Sequence, residues 1–185
     1  VQLDAQARAE ASGAAQVDLA NATIADLQAA FKKGTLTAEK LIQLYLARID
    51  TYDKEGPAIN SVIALNPKAL AEARALDAER RAGKVRGPLF GIPFSLKDNI
   101  NTFDLPTTAG SCLLAGSVPA VDALVVKRLR DAGAILMSKD NLSEFASGGG
   151  SVAGASEPAI LKAGAVPQGL SSIGGQTRNP HDLSR

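Results

Sequence analysis

The segment Gly87-Pro88-Leu89-Phe90-Gly91-Ile92-Pro93-Phe94-Ser95-Leu96-Lys97-Asp98-Asn99-Ile100 constrains this chain most. Its glycines and prolines oppose a helix, since proline removes a backbone donor and glycine loses the most freedom on ordering. The apolar run Gly91–Leu96 therefore reads as a short buried strand. It delivers one lysine, Lys97, at its inner end, followed by the polar run Asp98-Asn99-Ile100-Asn101. Burial disfavours an ammonium ion and lowers its pKa, which makes Lys97 a candidate base. The competing reading is a lysine that reaches out to water or pairs with Asp98.

A second apolar run, Ala134-Ile135-Leu136-Met137, offers a neighbouring strand. Between the two, Asp122–Asp131 reads as a helix with Leu124, Val125 and Leu129 inward, stopped by Gly133. Asp140-Asn141 is expected to start another short helix through Ser143, Glu144 and Phe145. Strand, loop, helix, strand, helix is the order of an α/β domain with parallel strands, whose C-terminal ends carry the functional site.

Upstream, residues 1–20 read as an N-terminal arm or helix. Thr23 and Asp26 have the spacing of a helix start, and Ile24, Leu27 and Phe31 form a stripe that Gly34 ends. Thr37 opens a second helix, with Leu41, Ile42, Tyr45, Leu46 and Ile49 on one face through to Asp53. Ile59–Leu65 reads as a strand. Asn66-Pro67 then caps a helix from Lys68 to about Ala82, with Glu72, Arg74, Glu79 and Arg80 on its solvated side. Thr107–Gly116 is a loop of small residues. Ser147–Gly175, rich in Gly, Ala and Ser, reads as a segment that wraps a site.

Composition narrows the function. The 185 residues carry a net charge of +1 with no basic block or acidic tail, which gives nucleic-acid or anionic-membrane binding no support. No apolar run reaches the length of a membrane span. One cysteine and one histidine make neither an internal disulfide nor a zinc site, and no metal or other cofactor is expected. Cys112 reads as a small buried residue and His181 as an exposed loop residue. No signal-peptide pattern is visible, but because the chain begins with Val1 rather than Met, a signal peptide, a tag or a disordered leader is expected to have been removed, and cytoplasmic and exported destinations both stay open.

Several motifs then carry a resemblance. Gly87–Pro93 with Ser95-Leu96-Lys97-Asp98-Asn99 resembles the lysine segment of the amidase signature family. Asp122–Leu129 with Ala132-Gly133-Ala134-Ile135 resembles that family's next helix–strand unit. Lys139-Asp140-Asn141-Leu142-Ser143-Glu144-Phe145-Ala146 resembles its following turn, and Gly175-Gln176-Thr177-Arg178-Asn179-Pro180 the approach to its serine-rich loop.

The resemblance implies an α/β fold with a mixed sheet flanked by helices, of which residues 21–185 are the N-terminal part. It implies amide hydrolysis by a Ser–cis-Ser–Lys triad, with Lys97 as the base. The substrate would be a small-molecule or peptide amide. Both family serines lie after the Arg-Asn-Pro segment, so they are expected in a remaining C-terminal polypeptide, and this chain alone is expected to be inactive. Ser171 and Ser172 imitate the serine loop from the wrong side of Arg178-Asn179-Pro180. They are weak candidates for substrate contact, against a role as turn or pocket wall. Arg178 is expected to be a buried ion-pair partner, and Asp98 and Asn99 to fix loop geometry. Two alternatives stand beside hydrolysis: a non-catalytic truncated binding module, and the amide-transferring subunit of an amidotransferase. The length of Ser147–Gly169, compared with subunits that amidate transfer RNA, weighs towards a stand-alone amidase.

Overall fold

Thr23 and Asp26 form the capping box that their spacing predicts. Asp26 N–H donates to Thr23 Oγ1 at 3.2 Å, and Thr23 N–H donates to Asp26 Oδ2 at 2.9 Å. They open α1 (Ile24–Lys33), which ends at Gly34 in the left-handed conformation. The computed structural model describes residues 18–146 and 168–184, so most of the expected N-terminal arm and of the wrapping segment lies outside the described residues. Next come α2 (Ala38–Arg48) and a π-helical segment, Ile49–Lys54, where the sequence predicts one continuous helix. Then follow β1 (Val62–Leu65), α3 (Ala69–Arg81), β2 (Pro93–Lys97), α4 (Leu124–Asp131) and β3 (Ile135–Asp140).

The sheet order is β1-β3-β2. β2 and β3 run parallel, joined by the crossover through α4, while β1 runs antiparallel to β3. The sheet is therefore mixed, with helices packed against it. α1, α2 and α3 bury Leu27, Phe31, Leu41, Ile42 and Ala73 against Phe90, Ile92 and Ile135. Leu96, Leu105, Val126 and Leu136 form a second, smaller cluster beneath α4. The start of α2 is tied down from α3. The buried Asp77 carboxylate accepts from Ala38 N–H at 2.8 Å and Glu39 N–H at 3.0 Å, two donors that the helix itself leaves unpaired.

Four local expectations change. Leu124 and Val125 are 63% and 52% exposed, and Val126 is the residue that α4 buries. The helix starts two residues later than predicted, and only its Val126 side reaches Leu96 and Leu136. Arg80 is half-buried: its guanidinium lies 4.7 Å from the centre of the Phe31 ring and donates to Phe90 O at 2.7 Å. Burial pulls its pKa down, offset in part by the Asp77 carboxylate. α3 begins at Ala69 rather than at Lys68, with Asn66 Oδ1 accepting from Lys68 N–H at 2.9 Å and Pro67 lying before the helix. Finally, β3 runs on to Asp140 because Asp140 pairs with Lys97. The predicted helix there shrinks to a 3₁₀ turn, Glu144–Ala146.

Candidate active site

The register of β2 on β3 decides where the lysines go. Pro93 pairs with Ile135 and Phe94 with Leu136, but Ser95 pairs with Ser138, so Met137 is an extra residue on β3. Beyond this bulge Leu96 pairs with Lys139 and Lys97 with Asp140. A slip of one residue moves every later side chain to the opposite face. Lys139 therefore joins Leu96 and Asp98 on the covered face. Lys97 stands with Asp140 on the other.

The expectation that Lys97 is buried is thus corrected: Lys97 is exposed, between buried Leu96 and buried Asp98. Its ammonium takes part in no hydrogen bond or ion pair among the described residues. The fully buried lysine is Lys139. Its Nζ lies 3.0 Å from Asp98 Oδ1 and donates to Thr107 Oγ1 at 2.9 Å and to Pro106 O at 3.1 Å. The other Asp98 oxygen accepts from Thr108 N–H at 3.1 Å and from the Thr108 hydroxyl. Asp98 is also fixed through its backbone, with its N–H on Asp140 O and its C=O receiving Ala109 N–H, both at 2.9 Å. The loop-fixing role expected of Asp98 has this geometry. Asn99 is exposed.

Residues 168–178 form a small hairpin, β4 (Leu170–Ser171) and β5 (Gly175–Gln176), at the tip of the same region. Polar side chains hold it in place. Asn141 Nδ2 donates to Gly175 O and Thr177 Oγ1, both at 2.9 Å, and Asn60 Nδ2 donates to Gly174 O. Ser171 is buried; its hydroxyl donates to Asn141 Oδ1 at 2.7 Å and accepts from Gly174 N–H at 2.8 Å. Ser172 is exposed, and its Oγ accepts from Cys112 N–H at 2.9 Å. Ser172 N–H donates to Glu144 Oε2 at 2.8 Å. That bond, with the hydroxyls of Ser111 and Ser172, holds the Glu144 carboxyl below the usual range.

Cys112 is exposed rather than buried, because its thiol and N–H both turn to Ser172 at the loop surface. Arg178 is exposed and makes no ion pair among the described residues; its N–H, not its guanidinium, anchors it by donating to Ile59 O at 2.8 Å. His181 is exposed. Sequence reasoning missed Lys139, Asn141 and Asn60 as parts of this framework, whereas Ser143 and Glu144 resemble motif positions expected to be structural or pocket-lining, and Glu144 holds Ser172 N–H. A lysine two residues after the apolar run 134–137, behind Ser138, was the one available signal for Lys139.

Among the described residues no group of three or more His, Cys, Asp and Glu side chains could hold a metal ion, and no helix is long and apolar enough to cross a membrane.

The Amidase family matches residues 40–185 of this sequence. The chain belongs to the amidase family. The native peptide amidase of Stenotrophomonas maltophilia is 46% identical, with a TM-score of 0.78, over 90% of this chain and 31% of that structure. An amidase family protein of Bacillus anthracis is 36% identical, with a TM-score of 0.77, over 89% of this chain and 30% of that one. A glutamyl-tRNA(Gln) amidotransferase subunit of Acidothermus cellulolyticus is 37% identical over 169 residues, which are 91% of this chain and 29% of that relative. The chain thus spans about a third or less of each of these amidase relatives.

Proposed function

We propose that this chain is the lysine-bearing part of an enzyme that hydrolyses linear carboxylic amides by a Ser–cis-Ser–Lys triad. The observation that carries the reading is the place of Lys97. It stands at the C-terminal end of β2, beside a parallel neighbour, with an amine that no described residue engages. The match of residues 40–185 to the amidase family supports the chemistry. The two serines and the oxyanion-binding turn come from the remaining polypeptide of the same enzyme.

In this reaction the Lys97 amine takes a proton from the bridging serine. That serine takes one from the nucleophilic serine, whose oxygen attacks the amide carbon. Backbone N–H groups hold the developing oxyanion. The C–N bond breaks as the leaving nitrogen receives a proton, and ammonia or an amine departs. Water, deprotonated through the same serine–lysine path, then releases the acid and restores the nucleophile. Ser172, exposed in the turn of the hairpin, is the proposed substrate contact of the serine pair, while buried Ser171 shapes that turn. The 46% identity to a peptide amidase favours peptide amides as the substrate class.

The test is ammonia release by the full-length enzyme from a peptide amide and from aliphatic and aromatic amides, with wild type and Lys97→Met side by side. Turnover by wild type and none by the variant is expected. A Lys97→Met enzyme that keeps its rate contradicts the lysine's role, and an inactive wild type contradicts amide hydrolysis. A second reading is amide transfer, favoured by the 37% identity to a chain of an amidotransferase. It predicts turnover that depends on an acceptor other than water and on a partner protein.

A further inference from the structure

The ion pair between Asp98 and Lys139 has no part in the proton path just described. It is nevertheless the most completely enclosed charged group among the described residues, with Lys139 at 0% and Asp98 at 1% exposure. Burying two charges costs several kcal/mol of desolvation, and uncharged replacements of similar volume are often equally stable. Such a pair is poorly explained by stability alone. Its position suggests another use. Asp98 follows Lys97 directly, and Lys139 precedes Asp140, the partner of Lys97 across the ladder.

We infer that the Asp98–Lys139 pair is a clamp that positions Lys97 for proton transfer. The inference rests on the amidase reading above. The clamp works through the backbone. Lys139 is fixed by three groups at once: Asp98, Thr107 Oγ1 and Pro106 O. Asp98 in turn holds Thr108 by its carboxylate, Ala109 by its C=O and Asp140 by its N–H. The strand end, the loop 106–109 and β3 therefore meet at one buried point next to Lys97. An exposed lysine has a long, flexible stem, so the placement of its amine begins with the placement of its Cα. Misplacement of a reacting group by about 1 Å costs on the order of a hundredfold in rate. The bulge at Met137 is what makes the arrangement possible. Without it Lys97 and Lys139 would pair side by side, as two like charges on one face.

The experiment replaces both charges together in the full-length enzyme, as Asp98→Asn with Lys139→Met. The pair is removed while volume is kept, and the melting temperature is expected to be no lower than that of wild type. Two readouts follow. Hydrogen exchange of the Asp98 and Ala109 amides is expected to accelerate at least about tenfold, with α2 amides unchanged. On a peptide amide, kcat is expected to fall about tenfold or more with KM unchanged, as for an interaction needed only in the transition state.

Unchanged exchange at Asp98 and Ala109 overturns the clamp, and so does a wild-type kcat in a folded double variant. If the double variant does not fold, Thr107→Val decides. It removes one partner of the Lys139 ammonium and is expected to lower kcat several-fold at constant KM; an unaltered kcat overturns the proposal. A wild-type enzyme that hydrolyses no amide defeats the functional reading instead, while the exchange data still report on the clamp.

Discussion

Gly133 joins α4 to β3, and alanine there should be among the most damaging single-methyl additions in the chain. Its φ is 82°, in the left-handed region. A Cβ at this position would lie 2.4 Å from Phe90 Cδ2 and 3.2 Å from Phe90 Cγ. The ring cannot step aside. Phe90 is fully buried, and the Arg80 and Arg86 guanidinium groups lie 5.3 Å and 4.9 Å from its centre. Left-handed backbone costs an L-residue about 1–2 kcal/mol, and overpacking a close-packed site costs about 1–3 kcal/mol more. The expected total is about 2–5 kcal/mol, a large share of a typical domain's stability. Gly83 supplies the control: its φ is 76°, and nothing lies within 4 Å of the Cβ it would acquire. Gly83→Ala should therefore show the backbone cost alone. Urea denaturation of the two full-length variants, followed by circular dichroism, measures both. Their difference isolates the contact with Phe90, at about 1–3 kcal/mol. A Gly133→Ala protein no less stable than Gly83→Ala would refute the reasoning.

Asp53 predicts an acid-sensitive contribution to stability. Burial works against its ionisation, but hydrogen bonds from the Ser61 hydroxyl and N–H, with Lys54 and Val62 N–H, hold its pKa below 3.8. A lowered folded pKa stabilises the protein above the unfolded value, and that stability is lost as pH falls from 3.8 through the folded pKa. The stability gap between wild type and Asp53→Asn should close over that window in pH-dependent unfolding, and a constant gap would contradict the assignment. Asp77→Ala leaves Ala38 and Glu39 N–H without acceptors and should cost about 1–3 kcal/mol, with faster hydrogen exchange confined to the first turn of α2. Ser171→Ala should cost about 1–2 kcal/mol by releasing Asn141 Oδ1 and Gly174 N–H, with KM unchanged. A raised KM at unaltered stability would instead make Ser171 a substrate contact.

Much of the fold was legible because it follows from local rules. Thr23 and Asp26 marked a helix start through side-chain groups that reach only their own backbone. Gly34 and Gly133 marked ends because both stand at positive φ. The apolar runs around Leu96 and Leu136 became adjacent parallel strands as their spacing through α4 requires. The face of α4 was misread because a helix of eight residues has too few turns for its stripe to fix its rotation. Arg80 was misread because cation–ring packing against Phe31 and Phe90 depends on residues distant in the chain.

The candidate site divides in the same way. Residue order alone settled that a lysine ends one strand and an aspartate follows it, and local motif order was enough to place the chain among the amidases. Which lysine would be enclosed and which would face outward was beyond that order. Met137 is one residue too many for the ladder, and that surplus turns Lys139 inward to Asp98 and leaves Lys97 outward. Periodicity along a single strand cannot reveal a bulge, because a bulge is a mismatch between two strands and exists only once they are paired.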